Sequence, residues 1–224
     1  MRIYLLCLAI VAVGAVGSSA QTTADDFFNR AVDRHKEGDP QGAVADYSKA
    51  IALSPKDKDA YNNRGSVRKS MGDMEGAIAD FTKAIEIDPT VATPYLNRGV
   101  VKKRKGDTAG AIADYTAAIE RDPSSSPAHF NRGNARRELG DIKGAIADLS
   151  KVIEINPRHA RAFLSRGRSY FDAKEFDKAV ADYTRSLELD GTSAEANQHR
   201  ALAYRALKRM AEAEIDEKRA ARLK

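Results

Sequence analysis

A period of 34 residues constrains this chain more than any other feature of its sequence. Gly-Asp, followed by Ala-Ile-Ala-Asp (Ala-Val-Ala-Asp in the first copy) and a large apolar or aromatic residue, recurs at Gly38, Gly72, Gly106 and Gly140. A fixed period of that length means one supersecondary unit stacked on copies of itself, each too small to bury its apolar face alone. With Ala24 as position 1, the units are 24–57, 58–91, 92–125, 126–159 and 160–193, then a sixth, degenerate or capping unit at 194–224. No insertion or deletion interrupts them.

The columns of this array specify what the unit is. Position 8 holds Ala31, Gly65, Gly99, Gly133, Gly167 and Ala201, and position 20 is alanine from Ala43 through Ala213. Two antiparallel helices approach closely only where neither carries bulk, so paired small columns mark the contact line of a helix hairpin. Position 24 supplies a knob (Tyr47, Phe81, Tyr115, Leu149, Tyr183) one turn past the small residue, placed to pack against a neighbouring unit. Asp39, Asp73, Asp107 and Asp141 can cap each second helix, and Pro40 fits a first helical turn. Pro55, Pro89, Pro123 and Pro157 break the chain after it.

Small residues at positions 8 and 20, mostly small ones at 27, an aromatic at 24 and proline at 32 resemble the tetratricopeptide repeat family over residues 24–224. The resemblance implies an all-α superhelix, a solenoid of about six helix hairpins with a concave groove. Departures gather late: Lys174 replaces the turn glycine, Gly191 the proline and Glu217 the knob. The polar stretch from Glu212 to Lys224 suits a terminal helix whose outer face has no neighbour.

Ahead of the repeats, Met1 and Arg2 precede an apolar run from Ile3 to Val16 and then Gly17-Ser18-Ser19-Ala20, the layout of a secretory signal cut after Ala20. Residues 21–23 form a short linking segment. The run falls short of the roughly 20 residues a helix needs to cross a bilayer, so the expectation is a periplasmic or secreted protein without stable membrane insertion. Cys7 is the only cysteine and would leave with the signal, which excludes disulfides and thiolate chemistry from the mature chain. Net charge is +5, and +4 without Arg2, with acids and bases alternating along the chain. That pattern lacks the concentrated basic face of a nucleic-acid binder.

Two columns have no exception. Position 7 is Arg30, Arg64, Arg98, Arg132, Arg166 and Arg200; position 23 is Asp46, Asp80, Asp114, Asp148, Asp182 and Asp216. One lies on each helix near the contact line, which predicts a recurring structural ion pair that fixes register more than it adds stability. Position 6 carries Asn29, Asn63, Asn97 and Asn131, then Ser165 and His199. In related superhelices this position faces the groove, where amides can hold a peptide backbone without reading its sequence; the other reading is that they cap or bridge neighbouring helices. Phe28, Leu96, Phe130 and Leu164 at position 5 suggest apolar pockets beside the amides, or ordinary packing. His35, Lys69, Lys103, Arg137 and Arg205 at position 12 form a basic row that favours acidic partners if it lines the groove, and otherwise a solvated ridge.

The clamp with which co-chaperones hold a chaperone's terminal carboxylate needs basic and amide residues over three successive repeats. Phe28, Val32, Leu96, Val100 and Pro127 stand where it would need polar groups, so only its central asparagine is present. His35, His129, His159 and His199 have no i, i+3 or i+4 spacing for a shared metal, and no phosphate loop or nucleophile motif occurs. The expectation is therefore a scaffold that binds an extended peptide or partner helix, with no catalytic residues, metal or cofactor. The alternative is a structural assembly factor of the cell envelope that docks partners on its convex face or ends.

Overall fold

The computed structural model describes residues 22–223; the expected signal segment and its cleavage point lie outside them. Among the described residues the chain forms helices and turns only. The helices are α1 (Ala24–Lys36), α2 (Pro40–Leu53), α3 (Lys58–Met71), α4 (Met74–Ile87), α5 (Ala92–Arg104) and α6 (Thr108–Arg121). They continue as α7 (Ser126–Glu138), α8 (Ile142–Ile155), α9 (Ala160–Asp172), α10 (Phe176–Leu189), α11 (Ala194–Ala206) and α12 (Met210–Arg222). Two fall in each 34-residue window. None is long and apolar enough to cross a membrane.

The tight turn inside each hairpin has a local cause. Gly38, Gly72, Gly106 and Gly140 adopt φ of +84 to +88°, a left-handed conformation that costs glycine nothing. The next aspartate then caps the second helix by accepting from the backbone N–H three residues on, at 2.8 to 2.9 Å. That residue is always glycine, because a Cβ on Gly42, Gly76, Gly110 or Gly144 would lie 1.9 to 2.1 Å from the capping carboxylate. Capping acid and glycine therefore work as one device. The last two hairpins have lost it: Lys174 and Lys208 occupy the turn at φ +61° and +62°, and Glu175 and Arg209 make no side-chain cap. An ion pair to the residue three on, Glu175 with Lys178 and Arg209 with Glu212, stands in its place.

The knobs seat differently from the simple neighbour contact that their spacing suggests. A Cβ on Gly65 would lie 2.9 Å from Phe81, and one on Gly99 or Gly167 would lie 2.7 Å from Tyr115 or Tyr183. Each ring thus fills a notch in its own hairpin first. It then reaches onward, as Tyr47 does in packing with Ala60 and Val67 of the following unit. The knob is larger than the notch, so one side chain closes two interfaces.

Curvature follows from which helices meet. Beyond sequence neighbours, α3 touches α5, α5 touches α7, α7 touches α9 and α9 touches α11, and no comparable series joins the even-numbered helices. The odd-numbered helices therefore form the inner wall and the even-numbered ones the outer. At the far end the outer surface is less polar than its composition suggests, since Met210 and Ile215 are 59% and 61% exposed.

Candidate binding groove

The hairpins are tied together by the arginine and aspartate columns. In all six, the arginine donates through Nε and Nη2 to the two carboxylate oxygens of its partner. The closest pair, Arg30 with Asp46, has distances of 2.6 and 2.7 Å; Arg98 with Asp114 has 3.0 and 2.7 Å. Arg64 with Asp80, Arg132 with Asp148, Arg166 with Asp182 and Arg200 with Asp216 repeat the fork. Every one of these carboxylates is buried, and only a bidentate partner satisfies so many acceptor sites in so small a space. Arg30 holds the Asp46 carboxyl below the usual carboxylate range, and the acids raise Arg30, Arg166 and Arg200 in return.

The third arm of the fork crosses to another hairpin. Arg64 Nη1 donates to Ser48 at 2.9 Å, Arg98 to Thr82 and Arg200 to Thr184 at 3.0 Å, and Arg132 to Thr116 and Arg166 to Ser150 at 3.1 Å. The hydroxyl always belongs to the preceding repeat. Ser48 and Thr116 pass the bond on to the carbonyls of Val44 and Ile112, at 2.7 and 2.8 Å. The arginine column thus sets register within and between hairpins, and its hydroxyl partners went unread in the sequence. Their signal was a column at position 25 holding Ser or Thr in five repeats and Lys218 in the sixth.

The residues chosen for binding divide when placed on the inner wall. Asn29 on α1 is exposed, while Asn63, Asn97 and Asn131 on α3, α5 and α7 are half-buried. Asn97 donates to Asn62 of the preceding repeat at 3.1 Å, so that amide is engaged in bridging. Phe28 packs edge-on against Tyr47 and Leu96 joins the core, so both serve packing. Lys69 is half-buried on α3. Lys103 pairs with Glu138 at 2.7 Å and Arg137 with Asp172 at 2.8 Å, which neutralises much of the basic row across repeats. Phe130 differs: it stacks on His159 with centroids 5.3 Å apart and lines a cavity.

That cavity, of about 500 Å³, lies between α7 and α9 and is lined by Arg137, Arg161 and Arg168 with Phe130, Asn134, Glu138 and Ser165. A smaller one of about 160 Å³ adjoins it, sharing Arg137 and Arg168 and adding Phe171, Asp172, Tyr183, His199 and Leu202. Burial, reinforced by Arg168 and Arg137, holds the His199 imidazole below its ordinary pKa despite Glu195 and Asp172 nearby. Burial pushes the Tyr183 phenol up, and its ring stacks on His199 with centroids 5.9 Å apart. These two cavities of the odd-numbered wall thus lie in repeats four to six, whereas the asparagine ladder runs through repeats one to four. Arg161, Arg168 and Leu202 were missed in the sequence because each interrupts a column instead of forming one, and Tyr183 was read only as a packing knob.

Residues 96–160, 130–194 and 164–224 match a family model described as tetratricopeptide repeat; residues 59–91 match another of that description, and 33–72 one described as TPR repeat. Among solved structures, MamA protein is 26% identical over 74% of this chain and 91% of that one, with a TM-score of 0.70. YrrB, described as a TPR protein with an unusual peptide-binding site, is 22% identical over 80% and 92%, with a TM-score of 0.72. PilW, described as a widely conserved type IV pilus biogenesis factor, is 20% identical over 87% and 90%, with a TM-score of 0.74. No curated protein sequence gave a significant match.

Proposed function

Because the chain belongs to the tetratricopeptide repeat family, we propose that it is a non-enzymatic scaffold whose inner wall holds an extended peptide or a partner helix. The observation that carries this reading is the continuous run of odd-numbered helices, which stacks like positions above one another and opens cavities between α7, α9 and α11. A wall of fixed register with both amides and guanidiniums on it suits reversible binding without chemistry. The peptide-binding site named for YrrB supports the reading at the level of the fold. The segment before residue 21, with its apolar run and small residues ahead of Gln21, directs the protein to the periplasm or outside the cell.

The test is selection of peptides from a random display library on the mature chain, followed by affinity measurement on variants. Asn63→Ala with Asn97→Ala, and separately Phe130→Ala, should each weaken a selected peptide about tenfold, the effect of losing a hydrogen bond or a packed anchor. Helical circular dichroism should stay unchanged. Full affinity in both variants would move the working surface elsewhere. Exposed Met210 and Ile215 on α12 favour the second reading, an assembly factor that docks partners at its end.

A further inference from the structure

The edge of the solenoid formed by the turns inside the hairpins carries an alternation that neither the core nor the inner wall uses. Positions 14 and 17 flank each of these turns. In the second, fourth and sixth repeats both are large and apolar: Met71 and Met74, Leu139 and Ile142, Leu207 and Met210. Met71, Leu139 and Met210 are 43%, 56% and 59% exposed. In the first and third repeats position 14 is Glu37 and Lys105, and Lys105 reaches back to Glu75 at 2.7 Å, which makes that part of the edge polar. In the fifth it is Ala173, near a Phe176 that packs edge-on against Phe171. Apolar steps therefore recur at every second turn. One exposed apolar residue needs no explanation, but three at one spacing along one edge mark a surface built to be covered.

The charges along the same edge point to what covers it. The turn segments 103–110 and 205–212 each carry two more bases than acids, 69–76 and 171–178 each carry one more acid than bases, and 137–144 balances. A second copy running antiparallel, about a two-fold axis at the fourth turn, sets the third turn against the fifth and the second against the sixth. Basic then meets acidic at each of those contacts, and every apolar step meets an apolar step. Copies running in the same direction would set each basic turn against itself. An axis at the third or fifth turn matches only two steps and opposes like charges at its centre. Self-complementarity of this kind is what an isologous two-fold contact requires, and opposed like charges are what excludes the other registers. Arg104 in the third turn and Asp177 in the fifth are both exposed.

We propose that the turn edge is a self-association surface on which a second copy of this chain docks antiparallel, with Leu139 against its counterpart at the axis and Arg104 against Asp177 of the partner subunit. That edge is distinct from the inner wall, so the pairing stands or falls apart from peptide binding there.

The experiment is sedimentation velocity on the mature chain across a concentration series, which should show a monomer–dimer equilibrium. Leu139→Arg sets two guanidiniums against each other at the axis and should raise the dissociation constant at least about tenfold. Arg104→Asp and Asp177→Arg each oppose like charges on both sides of the axis and should weaken the pair by a similar factor. The double variant Arg104→Asp with Asp177→Arg restores opposite charges and should recover the parent's affinity. Leu53→Arg, at an exposed apolar residue on the opposite edge, should leave it unchanged. All four of these side chains are exposed, so helical circular dichroism should match the parent's. A chain that stays monomeric throughout, or that forms open-ended oligomers, overturns the proposal. So does a Leu139→Arg variant that pairs as well as the parent, a Leu53→Arg variant weakened as much, or a double charge variant that shows no recovery.

Discussion

Each of the first four hairpins sets a glycine at positive φ in its turn and caps its second helix with aspartate, whereas the fifth and sixth place Lys174 and Lys208 there and cap with no side chain. The same division runs through the ion pairs. Asp46, Asp80, Asp114 and Asp148 are each held by a second cation from position 11, namely Arg34, Arg68, Lys102 and Arg136. In the fifth and sixth hairpins that position is Tyr170 and Tyr204, over whose rings Arg166 and Arg200 lie at 5.7 and 5.8 Å. Both irregular hairpins border the cavities of the inner wall. Departures from local rules that gather around polar, concave surface are the pattern of a region shaped by something other than stability.

The ion pairs give the largest way to test that division. Asp114→Ala leaves two cations without their buried partner and should cost about 3 to 5 kcal/mol in urea unfolding. Asp182→Ala strands only Arg166 and should cost less; equal losses would erase the distinction. The turns come next. Lys174→Gly relieves a left-handed lysine and should add about 1 kcal/mol, while Gly106→Ala imposes that strain and should remove about as much. A loss at both positions would mean that Lys174 makes contacts worth more than its strain.

His199 gives the smallest effect, from one partly exposed group. Burial and the nearby guanidiniums keep it neutral in the fold, whereas the unfolded chain takes up a proton at this residue near pH 6.5. Its depressed pKa therefore leaves stability intact above that pH and erodes it as pH falls from there toward the folded value. His199→Gln should flatten the loss between about pH 7 and pH 5. No change in slope would show the imidazole to be as well solvated folded as unfolded.

Most of the fold was legible because it is written thirty-four residues apart. A column that repeats carries its own control: alanine at six equivalent positions cannot be incidental composition, and the arginine and aspartate columns name both ends of the fork. What stayed hidden was relational. The hydroxyls at position 25 are unremarkable serines and threonines until Ser48 is seen against Arg64. The glycine at position 19 reads as a helix weakness until its missing Cβ is seen to make room for a capping carboxylate. The smaller cavity of the inner wall was least legible, because Tyr183 reads as one more packing knob and Arg168 as one more surface charge; only burial without a partner sets the first apart.

The bond between each guanidinium and the hydroxyl before it points in one direction along the chain, and that matters while the protein is being made. Ribosomes deliver the amino terminus first. A newly emerged hairpin already has its own arginine and aspartate paired, and what it holds out for the next arginine is a serine or threonine that water solvates at little cost. The next hairpin brings its own charge, already matched with a carboxylate, and adds one bond backward. Growth can therefore pause at any unit boundary without stranding a buried arginine or aspartate of these columns, so nascent intermediates have less cause to recruit the wrong neighbour.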